Sequence, residues 1–261
     1  MIKLENVSVA IGSKTIIRGI GFEAKPGEIT VIVGPNGSGK TTLMKAMSGE
    51  SAYGGSVSIN GHEVSATRSL DQALRRAVLP QATTLSFPFT VREIVNLGIL
   101  SGRSGASRVN DLVERALAAV DLHGFAGRFY QELSGGEQQR VQLARVLCQV
   151  WEPVLDGQPR YLFLDEPVSS LDIKHQLAIM QTARDYVERG GGVVAILHDL
   201  NLAAMYADRI IVLARGHMVA AGTPEQVIRD DVIAAAFECR LSVGKTPPGK
   251  APFILPQSFS P

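Results

Sequence analysis

The sequence lacks the features that mark disulfide-bonded, metal-binding and membrane-spanning proteins. It has only two cysteines, Cys148 and Cys239, which lie far apart in apolar surroundings, and it has no CxxC pair. Both are therefore predicted to be reduced, buried thiols of a cytosolic protein. No run of about 18 consecutive apolar residues is present, so no membrane-spanning helix is expected. The N-terminal stretch MIKLENVSVA alternates like a strand and lacks the apolar segment of a signal peptide. We expect the chain to stay in the cytoplasm and to reach a membrane only through a partner.

The sequence also lacks a dominant charge. Its 26 basic and 25 acidic residues give a formal net charge of +1, so no overall basic field indicates a nucleic-acid partner. What it has is an ordinary globular composition, with 45% hydrophobic and 20% charged residues. At 261 residues, the chain is long enough for one large domain or for a core with a subdomain.

Strand-like and helix-like patterns alternate along the chain and predict an α/β fold with a parallel sheet. The first stretch, up to Pro26–Gly27, alternates apolar and polar residues and predicts a small antiparallel sheet. Asn60–Gly61 and Arg215–Gly216 each separate two strand-like flanks and predict tight turns. Short, almost continuous apolar runs are typical of strands buried on both faces. These runs are 28–34, 161–167 and 191–200.

The pattern becomes helical from about residue 90 to residue 150. We interpret residues 88–158 as a helical subdomain inserted into the α/β core. One predicted helical face carries Leu112, Ala116, Leu117 and Val120, and a second carries Val141, Leu143, Ala144 and Leu147. The predicted division is 1–87 for the antiparallel region and first part of the core, 88–158 for the helical subdomain, 159–243 for the second part of the core, and 244–261 for a proline-rich, poorly ordered or extended tail.

The stretch GPNGSGKT at 34–41 has the G-x-x-x-x-G-K-[ST] pattern between a predicted strand and a predicted helix. Its glycines let backbone N–H groups surround phosphate oxygens, and the helix dipole adds partial positive charge. Lys40 is expected to reach the β- and γ-phosphates, and Thr41 to hold Mg²⁺. A glycine-rich turn without a ligand is the alternative, but the bare pattern arises by chance in roughly 1% of chains of this length. The predicted nucleotide-binding residues here are Gly34, Pro35, Asn36, Gly37, Ser38, Gly39, Lys40, Thr41 and Thr42.

Two carboxylates follow the apolar run of YLFLDEP. Ligands of open α/β sheets bind at the carboxyl ends of the strands, so Asp165 is expected to hold Mg²⁺ through water. Glu166 is then expected near the γ-phosphate, where it polarises the attacking water. A capped helix start is the alternative for these residues taken alone.

The stretch LSGGEQQR at 133–140 has a serine and two glycines before a helix-forming run. Ser134 and Glu137 fit the S-x-x-E capping box, so a well-capped helix is the simplest interpretation of the stretch alone. The order of GPNGSGKT, Gln81, LSGGEQQR, LDEP, SSLD and ILHD, however, resembles the ATP-binding-cassette (ABC) ATPases over roughly residues 1–240. That resemblance implies a P-loop NTPase (RecA-like) core with an N-terminal antiparallel β subdomain and an inserted α-helical subdomain.

The resemblance also implies that two copies of the chain pack head to tail with ATP between them. The phosphate loop of one copy then faces the LSGGEQQR stretch of the other, which needs no lysine because the first copy supplies one. Hydrolysis removes the bridging γ-phosphate and opens the dimer. The residues implied to contact the partner's nucleotide are Ser134, Gly135, Gly136 and Glu137.

Other roles are implied by the resemblance, residue by residue. Gln81 is implied to sense Mg²⁺ and to join the core to the helical subdomain, and His198 to contact the γ-phosphate and orient water. SSLD at 169–172 corresponds to the family's D-loop, with Ser170 in place of the usual alanine and Asp172 at the nucleotide interface. Ile11 replaces the usual adenine-stacking aromatic, so apolar contact is expected there. The remaining histidines are interpreted as surface or turn residues: His62, His123, His175 and His217.

Two further stretches refine the resemblance. LSFPFTVREIVNLG at 85–98 lies where the family meets its permease, and its pattern resembles importers of iron siderophores, haem and vitamin B12. Core packing is the alternative for Phe87 and Phe89. The connector at 149–160, with Trp151 and two prolines, resembles the haem (hemin) importer ATPases.

We therefore expect a peripheral ATP-binding subunit on the cytoplasmic face of a bacterial inner membrane. Its implied partners are a second copy of itself, two permease subunits, and a periplasmic binding protein that acts on the permease. Haem is the expected cargo, and an iron siderophore or vitamin B12 is the alternative. A soluble ABC ATPase of DNA repair or translation is a remote alternative because the chain lacks coiled-coil inserts, a second cassette and a basic stripe. A P-loop kinase would lack LSGGEQQR.

Overall fold

The structure is a computed structural model that describes residues 1–81, 87–99, 106–169, 171–246, 249 and 252–258. The strands are β1 (Ile2–Ile11), β2 (Lys14–Ala24), β3 (Ile29–Val33), β4 (Gly54–Ile59), β5 (His62–Glu63), β6 (Arg76–Leu79), β7 (Val154–Leu155), β8 (Gln158–Pro159), β9 (Tyr161–Asp165), β10 (Gly192–Ile196), β11 (Arg209–Ala214) and β12 (His217–Gly222). The helices are α1 (Lys40–Met47), α2 (Ser69–Arg75), α3 (Val91–Asn96), α4 (Ala106–Ala119), α5 (Gly135–Gln149), α6 (Ile173–Glu188), α7 (Leu200–Tyr206), α8 (Pro224–Val227) and α9 (Asp230–Phe237).

A six-stranded sheet in the order β12-β11-β3-β10-β9-β6 forms the core. All its neighbouring pairs are parallel except β11 with β12, which pair antiparallel at one edge. This arrangement confirms the α/β fold. The three apolar runs are the adjacent strands β3, β10 and β9, and every residue of these strands is buried.

Each of these strands sends alternate side chains into two different apolar clusters. Val31, Leu162 and Ala195 belong to a cluster shared with the helices of one face. Ile32 and Phe163 belong to a cluster shared with β1, β2, β4 and α1 on the other face. Because both faces are covered, the strands are continuous apolar runs rather than alternating ones. Their carboxyl ends are thereby fixed at one edge of the sheet.

The first strands form the predicted antiparallel sheet, in the order β2-β1-β4-β5. The predicted turn at Asn60–Gly61 joins β4 to β5, and both residues have positive φ, 53° and 78°. Arg215–Gly216 likewise joins β11 to β12, with φ of 50° and 80°. Both turns are therefore confirmed. Such two-residue turns require the left-handed region, which asparagine and glycine reach at low cost.

The predicted helical stretches are also found, but the buried face of α4 differs from the predicted one by one residue. In α5, Val141, Leu143, Ala144 and Leu147 are all buried, as predicted. In α4, Val113 is fully buried with Ala116 and Leu117, whereas the predicted Leu112 is only partly buried. The far end of α5 is tied to the core sheet, because the Gln149 amide donates to the carbonyls of Ala73 and Arg76 at 3.0 and 2.8 Å. The boundaries of a helical subdomain at 88–158 stay a prediction.

Two expectations need correction. Cys148 is buried, and its burial raises the pKa of the thiol to about 12, but Cys239 is exposed. Cys239 lies just beyond the end of α9, where an apolar sequence context does not imply burial. The tail was expected to be poorly ordered or extended, yet Pro256–Ser258 forms a 3₁₀ turn, and the Gln257 amide donates to the Asn201 carbonyl at 3.2 Å. Among the described residues, no helix is long and apolar enough to cross a membrane.

We predict that Gly98→Ala destabilises the fold through the contact between α3 and α5. A Cβ at Gly98 would lie 1.9 Å from the Arg145 carbonyl oxygen, and that backbone belongs to α5. Overpacking of this kind costs about 1–3 kcal/mol, which urea unfolding of the purified variant measures. Gly127→Ala is the matched control, since no atom of the described residues lies within 4 Å of its Cβ position. Equal stability of the two variants would contradict the close approach of these helices.

Candidate active site

A cleft of about 690 Å³ opens where the carboxyl ends of β3, β9 and β10 meet the start of α1. It brings together nine of the residues that the sequence pointed to in separate motifs. Among the predicted residues, those that line it are Asn36, Gly37, Gly39, Lys40, Thr41, Thr42, Gln81, Glu166 and His198. Strand ends and a glycine-rich helix start thus share one cleft, which is the usual position of ligands in open α/β sheets.

The phosphate loop connects β3 to α1, and its shape requires glycine. Gly34 has φ of 152°, and a Cβ there would lie 2.0 Å from the Leu213 carbonyl oxygen. Gly39, with φ of 101°, precedes α1, and a Cβ there would lie 2.5 Å from the Ile17 side chain. The backbone therefore wraps closely at the helix start, where its free N–H groups can meet an anion.

Lys40 lies in this loop and has no carboxylate partner among the described residues. Its ammonium donates to the carbonyls of Gly34 at 2.9 Å and Pro35 at 3.1 Å. Burial lowers its pKa, an effect opposed by the negative charges of Glu166 and Asp165. The Ser38 hydroxyl nearby is buried and has no hydrogen-bond partner in the part of the chain that the structure describes. A cation held only by carbonyls and an unpaired hydroxyl fit a phosphate group, which accepts hydrogen bonds from both.

The residues predicted to hold Mg²⁺ come together at the end of β9. The Thr41 hydroxyl donates to the Asp165 carboxylate at 3.4 Å. Asp165 is 5% exposed, and burial raises the pKa of its carboxyl. A desolvated carboxylate beside a hydroxyl is a hard-oxygen site of the kind that Mg²⁺ prefers, and a cation there would offset the burial of the charge. These residues therefore fit the metal.

Glu166 lies between two polar side chains at the mouth of the cleft. Its carboxylate accepts from the Gln81 amide at 2.9 Å and lies 2.6 Å from His198 Nε2. Its backbone has φ of 52°, in the left-handed region that non-glycine residues rarely occupy. Such strain is often found at functional sites. A carboxylate fixed at both oxygens and 12% exposed has the geometry of a general base for a water in the cleft.

The LSGGEQQR stretch lies outside this cleft. Ser134 caps α5, and its hydroxyl accepts from the Glu137 N–H at 3.4 Å. In return, the Glu137 carboxylate accepts from the Ser134 hydroxyl at 2.7 Å and from its N–H at 2.8 Å, which lowers the pKa of the Glu137 carboxyl. The predicted capping box is thus present. Ser134 and Gly135 are exposed, so one copy of the chain has two separate candidate phosphate sites.

The SSLD stretch leads into α6. Asp172 caps that helix, accepting from the His175 N–H at 3.0 Å and lying 2.8 Å from its Nδ1. His175 Nε2 also lies 3.9 Å from Asp121, so its ring lies between two carboxylates and is only 21% exposed. His175 is thus a partly exposed histidine of the first helical turn that contacts two carboxylates, whereas His62, His123 and His217 are exposed. Ser170 lies outside the described residues.

Sequence reasoning missed two residues of the cleft wall. Ile11 is 63% exposed and does not line the cleft, whereas Lys14 and Ile16 do. The available signal was the period of two along β2, which places residues 14 and 16 on one face. Any apolar contact to a base would come from Ile16, two positions into the next strand.

The stretch at 85–98 is partly described. Phe89 packs against the apolar cluster that β3, β9 and β10 share with the helices of one face, here called the main apolar cluster. This agrees with the interpretation of Phe89 as a core residue. Phe87 is 69% and Leu97 66% exposed, so this stretch also presents apolar side chains at the surface. Leu85 and Ser86 lie outside the described residues.

The connector at 149–160 forms a short hairpin of β7 and β8, turning at Asp156–Gly157. Trp151 packs against the main apolar cluster, and the Arg115 guanidinium of α4 lies 5.1 Å from the centre of its ring. Trp151 therefore anchors the connector to the helices, whereas the hairpin turn at Asp156–Gly157 is exposed.

Comparisons with known proteins agree with this geometry. Residues 17–169, more than half of the chain, match the ABC transporter family. The chain is 68% identical, over 99% of both chains, to the hemin import ATP-binding protein HmuV of Mesorhizobium japonicum. It is 59% identical, again over 99% of both, to the protein of that name from a Chelativorans species.

Solved structures share the fold. The chain is similar to a dimeric post-hydrolysis state of an ATP-binding cassette bound to ADP and Pi, with a TM-score of 0.74 and 27% identity over 86% of this chain and 99% of that one. It is similar in fold to the ATP-binding subunit of another ABC transporter, with a TM-score of 0.77, 22% identity, and coverage of 91% and 96%.

We predict that Asp165→Asn raises the melting temperature of the nucleotide-free and metal-free protein at neutral pH. Because burial raises the pKa of Asp165 above that of the unfolded chain, the folded state binds the proton more tightly. The ionised carboxylate therefore destabilises the fold above that pKa, and the penalty disappears as the pH falls through it. We expect a gain of a few degrees, since about 1 kcal/mol shifts a large domain by about 2–4 °C. Calorimetry across pH checks this, and a gain that grows toward acid pH would contradict it.

Proposed function

We propose, from the premise that this chain belongs to the ABC transporter family, that it is the ATP-hydrolysing subunit of a haem importer. The full-length identity of 68% to a hemin import ATP-binding protein supports the cargo. The cleft that joins the phosphate loop to Glu166 and His198 supports the reaction. Hydrolysis of ATP in this cleft drives alternating access of a partner permease.

The fixed position of the Glu166 carboxylate is the observation that best supports ATP hydrolysis as the reaction. Gln81 and His198 hold its carboxylate in the cleft that the phosphate loop also lines. Glu166 accepts the proton of the attacking water, and His198 orients that water toward the γ-phosphate. Lys40 leaves its carbonyl partners for the β- and γ-phosphates, where its charge stabilises the transition state.

Mg²⁺ fits the same cleft. Thr41 and Asp165 would hold it, with the Gln81 amide oxygen at its edge, because the Gln81 nitrogen already donates to Glu166. When bound, the ion neutralises charge on the phosphate oxygens.

The exposed LSGGEQQR stretch is assigned to the nucleotide of a second copy. Ser134 and the N–H groups of Gly135 and Gly136 lie at the start of α5, outside their own cleft and open to a partner. Asp172, at the start of α6, would contact the same interface. The similar cassette solved as a dimer with ADP and Pi supports a head-to-tail pair. Glu137 acts mainly by capping and orienting Ser134.

The partner permease is assigned to the surface around Phe87 and Leu97, two exposed apolar side chains at either end of α3. Burying such side chains against a membrane protein is favourable. The chain would then be peripheral to the cytoplasmic face of an inner membrane, and a periplasmic binding protein would deliver haem to the permease.

We predict that Glu166→Gln binds ATP but hydrolyses it at least about a hundredfold more slowly, because an amide cannot accept the proton of the water. The variant should accumulate as an ATP-bound dimer. Size-exclusion chromatography with ATP and a phosphate-release assay measure both properties. Wild-type turnover in the variant would remove Glu166 from the role of base.

Growth tests the cargo. An iron-starved strain that lacks the gene is given either haem or an iron siderophore as its iron source. We expect growth on the siderophore and failure on haem, restored by the wild-type chain and not by Glu166→Gln. Failure on the siderophore with normal growth on haem would overturn the haem assignment and leave ATP hydrolysis untouched.

A further inference from the structure

The main-chain carbonyl of Glu166 has an unusual set of donors. The Ser169 N–H and hydroxyl donate to it at 3.3 and 3.2 Å, as in an ordinary turn. A third donor comes from a different element, because the Gln139 side-chain amide of α5 reaches the same oxygen at 3.1 Å. This bond connects the LSGGEQQR helix to the strand end that carries the candidate base.

The orientation of the Gln139 amide follows from its partner. A carbonyl only accepts, so the nitrogen end must face Glu166. The amide oxygen is then left buried with no hydrogen-bond partner among the described residues, which is unfavourable. The side chain therefore holds its position at a cost that a leucine of similar size would avoid. Among the described residues, the hydrogen bond to the Glu166 carbonyl is the only one that the Gln139 side chain makes.

The bond acts on a strained residue. Glu166 has φ of 52°, and such a conformation persists only where its surroundings hold it. If the third donor were lost, the peptide could relax toward an unstrained conformation. That rotation would carry the carboxylate away from Gln81 and His198.

Gln139 lies about one turn from the start of α5, where Ser134 and Gly135 are exposed. Four residues of helix span about 6 Å, and a helix of this kind moves as a rigid element. A displacement of its first turn is therefore transmitted to the Gln139 amide.

We propose that Gln139 is a positioning residue that couples the two nucleotide sites of the dimer. The proposal rests on the proposed function, in which the start of α5 contacts the partner's nucleotide. When that nucleotide binds, α5 is fixed, and Gln139 holds the Glu166 of its own subunit in the orientation needed for hydrolysis. Since each site supports the base of the other, hydrolysis is cooperative in ATP.

Gln139→Leu tests this coupling, in the full-length chain and in its complex with the permease. The matched control is Gln149→Leu, which removes a glutamine from the same helix whose amide also donates to main-chain carbonyls, but far from the cleft. We expect kcat to fall about tenfold or more in Gln139→Leu, since a misplacement of about 1 Å can cost about a hundredfold. The Hill coefficient for ATP should fall toward one, while ATP binding by the single subunit stays within about twofold. Gln149→Leu should keep the wild-type kcat and Hill coefficient.

A second variant separates positioning from packing. Gln139→Glu keeps the shape, but its new carboxyl donates to the carbonyl only when it is protonated. Its activity relative to wild type should therefore rise as the pH falls from about 8 to 6, since burial near Glu166 raises the pKa of such a carboxyl. The relative activity of Gln139→Leu should not change with pH.

A Gln139→Leu protein with the kcat and Hill coefficient of Gln149→Leu would overturn the coupling while leaving ATP hydrolysis in place. A flat relative pH profile for Gln139→Glu would also overturn it. A wild-type chain that hydrolyses no ATP, alone or with the permease, would overturn the proposed function and the coupling together.

Discussion

Charge that is buried without full compensation is the constraint around which the cleft is built. Lys40 and Asp165 are both almost fully buried. Burial lowers the pKa of Lys40 and raises the pKa of Asp165, so in each case it favours the neutral form. Three strands covered on both faces hold Asp165 at this edge of the sheet, and glycines bring the backbone around Lys40. The folded chain therefore carries an electrostatic cost that a phosphate and a divalent cation relieve together. Binding energy is available because carbonyls and one hydroxyl do not neutralise these two buried charges.

The second constraint is that the start of α5 and the cleft of the same copy are separate surfaces. The start of α5 is exposed and lies outside the cleft, while Gln139, further along the same helix, contacts the Glu166 peptide. One helix thus has an exposed first turn and a side chain that contacts the residue proposed as the catalytic base. In the proposed function such a chain is poorly suited to act alone, since the proposed anion site at the start of α5 and the proposed base Glu166 are connected through Gln139. In a symmetric pair, the α5 helix of each copy faces the partner with its first turn and contacts Glu166 of its own subunit through Gln139.

Local features of the fold were predictable from sequence, and non-local contacts were not. The buried strands, the two tight turns and the Ser134–Glu137 capping box each depend on residues close together in the chain. The position of Ile16 in the cleft wall depends on how β2 lies against the phosphate loop. The Gln139 contact joins residues 27 positions apart, and His175 meets Asp121 across two elements. Helical periodicity also placed Leu112 on the buried face, although tertiary packing favours Val113.

The connector places the only tryptophan of the chain at a mechanical junction. Trp151 packs against the helical cluster, and Arg115 of α4 lies over its ring. The emission of an indole responds to a nearby cation and to water. The emission wavelength of Trp151 therefore reports the position of α4 relative to the connector. Emission spectra recorded with and without ATP would report any change in the contact between Arg115 and Trp151 without an added label.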